Sequence, residues 1–348
     1  MDIGDERVDQ GDFVIRPVRA SDFDWLYEIS NLVGIGFTSL PHDKVYIARR
    51  LEIVEKSFQE TIPAEERIYL FVRENLPSGE RIGLCGIHDD VGYKDAFYNY
   101  QVSTVTQLSK EQNIFIEHKL INVVNNFQTA SELISFWMHP THRGQNLSKS
   151  LALSRFLFIA HYPQWFGEEI IAEVRGVCDE NGNSPFWEAI GRRFFGMDFK
   201  QADALTMTQG KQYIADLVSR EPIYLDLLPI EAQKVVGVAH PTAEVAKHFL
   251  EEQGFKYNNY IDIFDAGPLL NAERDKIKSV VNSKLVRIGK CVDKQNEGER
   301  AMIYNARLDV RITVGKILVI GTDEVQISNR VAKLLNVTVN DTIRYCLL

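Results

Sequence analysis

An α+β fold is predicted for this chain, and three observations predict it. Ser131-Glu-Leu-Ile-Ser-Phe-Trp-Met138 is a short apolar strand, His139-Pro-Thr-His-Arg-Gly144 a turn, and Lys149-Ser-Leu-Ala-Leu-Ser-Arg-Phe-Leu-Phe158 an apolar helix. Residues 67–73 and 82–87 are apolar runs around the turn-rich Asn75-Leu-Pro-Ser-Gly79, the pattern of a β-hairpin. Beyond about residue 280 the runs become short, alternating and β-branched, which marks a small C-terminal β-rich module.

The other elements follow in order. Residues 13–18 are a first strand, with Pro17 near its end. Ser21-Asp-Phe-Asp24 supplies a helix N-cap with a carboxylate three residues on, and Trp25, Leu26 and Ile29 make that helix's apolar face. A second helix is expected over about 43–59, with Val45, Ala48, Leu51, Val54 and Phe58 on one side. After the helix at 149, residues 169–175 form a strand and 184–195 a helix. Residues 200–239 are mostly helical. Thr242 is the expected N-cap of a helix over 243–253, Gly254 suits the left-handed position after it, and 257–264 resume as a strand. Residues 284–288, 301–304, 308–314 and 316–320 are the strands of the C-terminal module.

Composition narrows the function. The chain has 348 residues, 45% hydrophobic and 25% charged, enough for one large core with an appendage or for two domains. Its formal net charge is -9 with Lys and Arg scattered, which argues against a nucleic-acid surface and mildly favours a cationic substrate. The four cysteines lie far apart, and His139 and His142 have no second pair to complete a site, so neither a disulfide scaffold nor a metal centre is expected. The acidic N-terminus has no apolar signal core, and no apolar run approaches the roughly 20 residues of a membrane span. A cytoplasmic protein with no membrane partner is expected.

A strand leading through a turn to a helix N-terminus is an anion site, because free backbone N–H groups and the positive dipole end meet there. Here the order of strand, two helices, hairpin, central strand, loop and helix resembles that of the GNAT acyltransferases. Their coenzyme A pyrophosphate loop reads Arg-Gly-x-Gly-x-Gly; this chain has Arg143-Gly144, with Asn146 and Ser148 where later glycines would fall. Many further blocks resemble one family, arginine N-succinyltransferase. They include Phe13-Val-Ile-Arg-Pro-Val18, Thr38-Ser-Leu-Pro41, Tyr98-Asn-Tyr100, Ser131-Glu-Leu133, Ala172-Glu-Val-Arg-Gly-Val177 and Ser184-Pro-Phe-Trp187. Gly191-Arg-Arg-Phe-Phe195, Met197-Asp-Phe199, His240-Pro241, Gly254-Phe255 and Tyr260-Ile-Asp-Ile-Phe-Asp-Ala-Gly-Pro268 continue the series in register.

The resemblance implies a GNAT-like domain over 12–280, with a mixed central sheet flanked by helices and a helical insertion at about 200–240. Residues 281–348 would be the appended module. It implies transfer of succinyl from succinyl-CoA to the α-amino group of L-arginine, in the ammonia-producing route of arginine catabolism. Succinyl-CoA would be a co-substrate, with no permanently bound cofactor; an oligomer is compatible with these residues. Ornithine, another amino acid, or a GNAT-like module that binds CoA or amino acids without turnover are the alternatives.

Acyl transfer from a thioester to an amine requires a held amine, a held oxyanion and two moved protons. An α-amino group titrates near ~8, a thiol near ~8.5 and histidine near ~6.5, so a histidine suits the shuttle. His240 matches the family's His-Pro, whose histidine is the proton donor; Pro241 holds it in a loop. Phe136 matches a succinyl-CoA contact of the family, usually Leu. The strand 135–138, Met138 included, should splay so that its backbone meets the pantetheine, while Arg143, Gly144 and Ser148 meet the pyrophosphate. A guanidinium calls for a carboxylate, for which Glu132, Glu173 and Asp262 are candidates. A succinyl carboxylate calls for Arg16 or Arg175, and Tyr98 or Tyr100 could hold the oxyanion.

Overall fold

In the computed structural model, residues 12–32, 40–94, 96–143, 147–179 and 182–348 are described, except the side chains at 204 and 207–209. The chain runs β1 (Phe13–Pro17), α1 (Phe23–Ser30), α2 (Lys44–Phe58), β2 (Ile68–Asn75), β3 (Glu80–His88), β4 (Asn99–Ser109), β5 (Ile114–Val124) and β6 (Ser131–Met138). Then come α3 (Leu147–His161), β7 (Glu169–Glu173), a π-turn (Trp187–Gly191) leading into α4 (Arg192–Phe195), α5 (Phe199–Gln209), α6 (Gln212–Leu217) and β8 (Ile223–Tyr224). The order continues with α7 (Ile230–Val235), α8 (Glu244–Glu252), β9 (Lys256–Ile261), β10 (Pro268–Glu273) and α9 (Lys278–Val281). Last are β11 (Lys284–Val292), β12 (Glu299–Tyr304), β13 (Ile312–Val319), β14 (Glu324–Ser328), α10 (Asn329–Leu335) and β15 (Thr342–Leu347).

All the described strands join one mixed sheet, ordered β12-β15-β11-β14-β13-β1-β2-β3-β6-β7-β10-β9-β4-β5-β8. Helices α1 and α2 cover one face, where Leu26, Ile29, Ile47, Leu51 and Val54 bury against Leu70, Val72, Leu84 and Trp137. The crossover helix α3 covers the other, packing Leu151, Phe156, Leu157 and Phe158 against Tyr69, Phe71, Ile82 and Ile170. Residues from the chain's end, Met302, Tyr304, Ile312 and Cys346, close over that same core. Sheet and C-terminal strands enclose α3, which is why it is buried on most sides and shows no single apolar stripe. Those strands also have a core of their own, with Ile288, Ile303, Val325, Leu335 and Ile343 at its centre.

Several local expectations change. Ser21 is not the cap of α1. The turn begins at Arg19, and Asp22 accepts from Arg19 N at 2.8 Å while its carboxylate also meets Arg16 at 2.8 and 3.0 Å and Arg81 at 2.5 Å. Val45 stands 79% exposed and Ile47 replaces it on the inner side of α2, whose N-cap is Asp43. Residues 308–314 and 316–320 are not two strands, since Ile312–Val319 is continuous as β13. The hairpin β4–β5, paired along its whole length from Asn99↔Val124 to Ser109↔Ile114, has no counterpart in the sequence reading.

Asp22 is fully buried, and removing it strands Arg16 and Arg81. Asp22→Ala is expected to cost about 3–5 kcal/mol of unfolding free energy by urea titration, the range for breaking a buried pair from one side. Burial alone would raise this carboxyl, but its hydrogen bonds to Arg16, Arg19 N and Arg81 hold it below the usual range. Its contribution is therefore complete above the unfolded value near ~4 and is lost as pH falls through the lower folded one.

Candidate active site

At the middle of the sheet β6 and β7 run parallel and pair only at Ser131↔Ile170 and Glu132↔Ile171. β6 stays paired to β3 as far as Met138, and β7 to β10 along its length. Among the described residues no ladder continues between the two strands past Glu132, so the facing edge of β6 keeps unspent backbone donors and acceptors. A bulge lies just beyond this point. The β3–β6 register shifts between Leu84 and Gly86, and Ser135 takes φ +55°, with its buried hydroxyl unpartnered. A side chain at positive φ is uncommon, and bulges re-aim a strand where function needs it.

The end of β6 leads through His139 and a short turn, Pro140–His142, towards α3. Arg143 Nε donates to Met138 O at 3.1 Å, so this guanidinium folds back on the strand end. Gly144 and Asn146 lie outside the described residues. Ser148 sits in the first turn of α3, half-buried. Phe136 is half-buried under the Arg155 guanidinium, whose Cζ is 5.4 Å from the ring centroid, while Met138 is buried in the core.

His240 is tethered to the chain leaving β7. Its N–H donates to Arg175 O at 2.8 Å, and Ala239 bridges Gly176. Thr242 N–H donates to His240 Nδ1 at 3.2 Å and the Thr242 hydroxyl lies 2.8 Å from that nitrogen, leaving Nε2 outward. Thr242 therefore serves the imidazole, and α8 begins one residue later than expected, with Ala243 as its cap. Burial first, then the Arg175 charge, holds His240 below the usual histidine range. The same local geometry recurs at His139-Pro140-Thr141, where Thr141 N–H donates to Nδ1 at 3.4 Å. Position in the fold, not turn geometry, distinguishes the two histidines.

Three carboxylates converge near the last paired residues of β6 and β7. Glu132 ends the pairing, Glu173 is the last residue of β7, and Asp262 follows β9. Protein packs round each on most sides, yet solvent still reaches them. Burial, then the charges of Asp262 and Glu132, pushes Glu173 well above the usual carboxylate range; burial raises Glu132 and Asp262 too, against the opposing charge of Lys211. Asn99 Nδ2 donates to Glu173 Oε1 at 3.0 Å, and Asp262 Oδ1 accepts from Phe264 N and Asp265 N. Asp265 is structural: its oxygens accept from Gly176 N at 2.7 Å and Gly267 N at 2.8 Å.

The structure thus groups the three candidate acids and sets Phe136, Met138 and Arg143 along one strand and its exit. Arg16 is removed as a ligand for succinyl, since it is committed to Asp22 and Glu74. Arg175 remains beside His240, its NH2 3.0 Å from Cys178 Sγ and its Nε unpartnered. Asn99 and Lys211 escaped the sequence reading; the run from Val102 to Thr106, rich in β-branched residues, was the available signal for β4.

A parallel pair that parts beside a strand–turn–helix, with two helices on the opposite face, is the architecture of a GNAT-like acyltransferase. Residues 13–279 match the family described as arginine N-succinyltransferase beta subunit. The arginine N-succinyltransferase of Enterobacter sp. (strain 638) is 38% identical over 296 residues, 85% of this chain and 86% of that one. That of Escherichia coli O139:H28 is 39% identical over 292 residues, 84% of this chain and 85% of its own. The solved arginine/ornithine succinyltransferase subunit AI from Pseudomonas aeruginosa superposes with a TM-score of 0.86 at 29% identity, covering 96% of this chain and 98% of that one. The chain belongs to the arginine N-succinyltransferase family and is an acyltransferase.

The chain leaving β7 passes very close to the turn before β10. A Cβ on Gly267 would lie 2.1 Å from Val174 O and 2.6 Å from Gly176 N. Gly267→Ala should therefore destabilise by about 1–3 kcal/mol, the usual cost of overpacking, read as a lower urea midpoint.

Proposed function

We propose that this chain transfers succinyl from succinyl-CoA to the α-amino nitrogen of L-arginine, directly and within a ternary complex. The single observation that carries the reading is the parting of β6 from β7 in a member of this family. The open edge of Phe136 to Met138 offers backbone groups to the pantetheine amides, and Arg143, Gly144 and Ser148 surround the pyrophosphate at the mouth of α3. Arg175 is the cation for the succinyl carboxylate. The solved relative's name makes ornithine the second acceptor to test, and its being a subunit is in keeping with an oligomer. The four cysteines, all free, suit a reducing cytoplasm. Residues 12–280 carry this chemistry and 281–348 are an appended module, a reading supported by the family match ending at 279 and by the module's own core.

In the transfer a C–N bond forms, the C–S bond breaks, and one proton passes from the amine to the departing sulfur. His240 is the relay. The Thr242 N–H bond makes Nδ1 an acceptor, so the neutral ring carries its proton on the outward Nε2, the working nitrogen. Neutral imidazole, favoured by burial and Arg175, gives its Nε2 proton to the departing sulfur as the amine's proton replaces it on that nitrogen.

His240→Ala should reduce kcat by about 10²–10⁴-fold with succinyl-CoA affinity retained, the range for a lost general acid–base. His139→Ala, with the same local turn, should stay within about threefold. Thiol release measures both, with circular dichroism as control; a folded His240→Ala enzyme near wild-type rate would reduce His240 to a turn residue.

Succinyl-CoA should raise Tm by mass action where free succinate does not. Arg143→Glu should diminish that rise by setting a carboxylate beside the pyrophosphate, and an undiminished rise would remove Arg143 from the site.

A further inference from the structure

We propose that Glu173, Asp262 and Glu132, with Asn99, form the subsite that holds the guanidinium of the acceptor. The inference rests on the functional reading above and deepens it. Four separate segments supply these residues, namely β4, β6, β7 and the turn after β9, and only the sheet order brings them together.

The group is rich in acceptors and poor in cations. Among the described residues none of the three carboxylates is in an ion pair; the charge of Lys211 acts on all three and that of Arg50 on Glu132, and Lys211 lies over the Phe97 ring at 4.4 Å. A fully buried side chain adds an unmet polar atom. Asn99 is 0% exposed, and its amide, held to Glu173 through Nδ2, leaves Oδ1 without a partner. A guanidinium has five N–H donors in a planar fork and no acceptor, the complement of two carboxylates and an amide oxygen. Leaving such atoms empty is costly, and a bound cation removes both the repulsion and the unmet hydrogen bonds.

The same electrostatics exclude the other cationic end of the substrate. The α-amino group must be neutral to attack, and three neighbouring carboxylates would hold it protonated. They suit the end that does not react.

The test compares arginine with citrulline, whose neutral urea has nearly the same shape. Wild type, Glu173→Gln and Asp262→Asn are assayed by thiol release with succinyl-CoA, and the Tm rise with succinyl-CoA checks fold and cofactor binding. For arginine, kcat/KM should fall by about 10²–10³-fold in each variant, mainly through KM, while citrulline changes by less than about threefold. The arginine-to-citrulline ratio then collapses. Equal losses for both acceptors would overturn the subsite, because the acids would then serve the shared amino-acid end or the fold. Should wild type transfer succinyl to neither, the functional reading fails and the subsite is still tested by thermal shift. A Tm rise with arginine that disappears in both variants supports it, and one that is unchanged in them refutes it.

Discussion

Two parallel strands that stop pairing in the middle of a sheet set the terms for the rest of this molecule. Interior strands normally spend every backbone donor and acceptor on neighbours. Here β6 and β7 pair at two positions, and β6 then continues beside β3 alone. The bulge at Ser135 falls just beyond the parting and turns the strand there. β3 on one side and β10 on the other keep the gap from collapsing, since β6 pairs with β3 on both sides of the bulge and β7 with β10 along its length. A wide sheet can carry such a defect because so much of its surroundings is conventional.

The two sets of buried carboxylates show how differently one chain treats the same functional group. Asp22 is enclosed by Arg16, Arg81 and the Arg19 amide, and it lies below the usual carboxylate range. Glu132, Glu173 and Asp262 lie close together with no ion pair among the described residues, and burial drives them upwards. The first arrangement is complete within the protein and holds α1 against the sheet. The second is incomplete within the protein. Incomplete polar sites are expensive, and they concentrate where a ligand finishes them.

The C-terminal strands are more than an appendage in packing. Met302, Tyr304 and Ile312 join the core around α3, and Thr313 Oγ1 donates to Phe13 O at 2.7 Å, tying the end of the chain to its first strand. The crossover helix that precedes β7 is therefore clamped between the central strands and this module. Rigidity of α3 matters to the opening beside it, because the helix begins where β6 ends.

Local pattern alone determined much of this protein. The strand at 131–138, the helix after it, the hairpin at 68–88, α2 and the left-handed Gly254 were legible from periodicity, turn residues and capping, which act over a few residues. The quoted blocks made the family legible as well. Tertiary structure decided the rest. Ser21 lost its cap because Asp22, beside it, is bound by arginines from β1 and β3, and Thr242 lost its own to the imidazole two residues back. The long β4–β5 arm escaped because its apolar residues, such as Val102 and Val105 or Ile114, Phe115 and Ile116, fall on both faces and show no period of two. Which acids would meet was beyond any local rule: Glu132, Glu173 and Asp262 are neighbours only through strand order, and strand order is set by long-range pairing that no window of sequence contains.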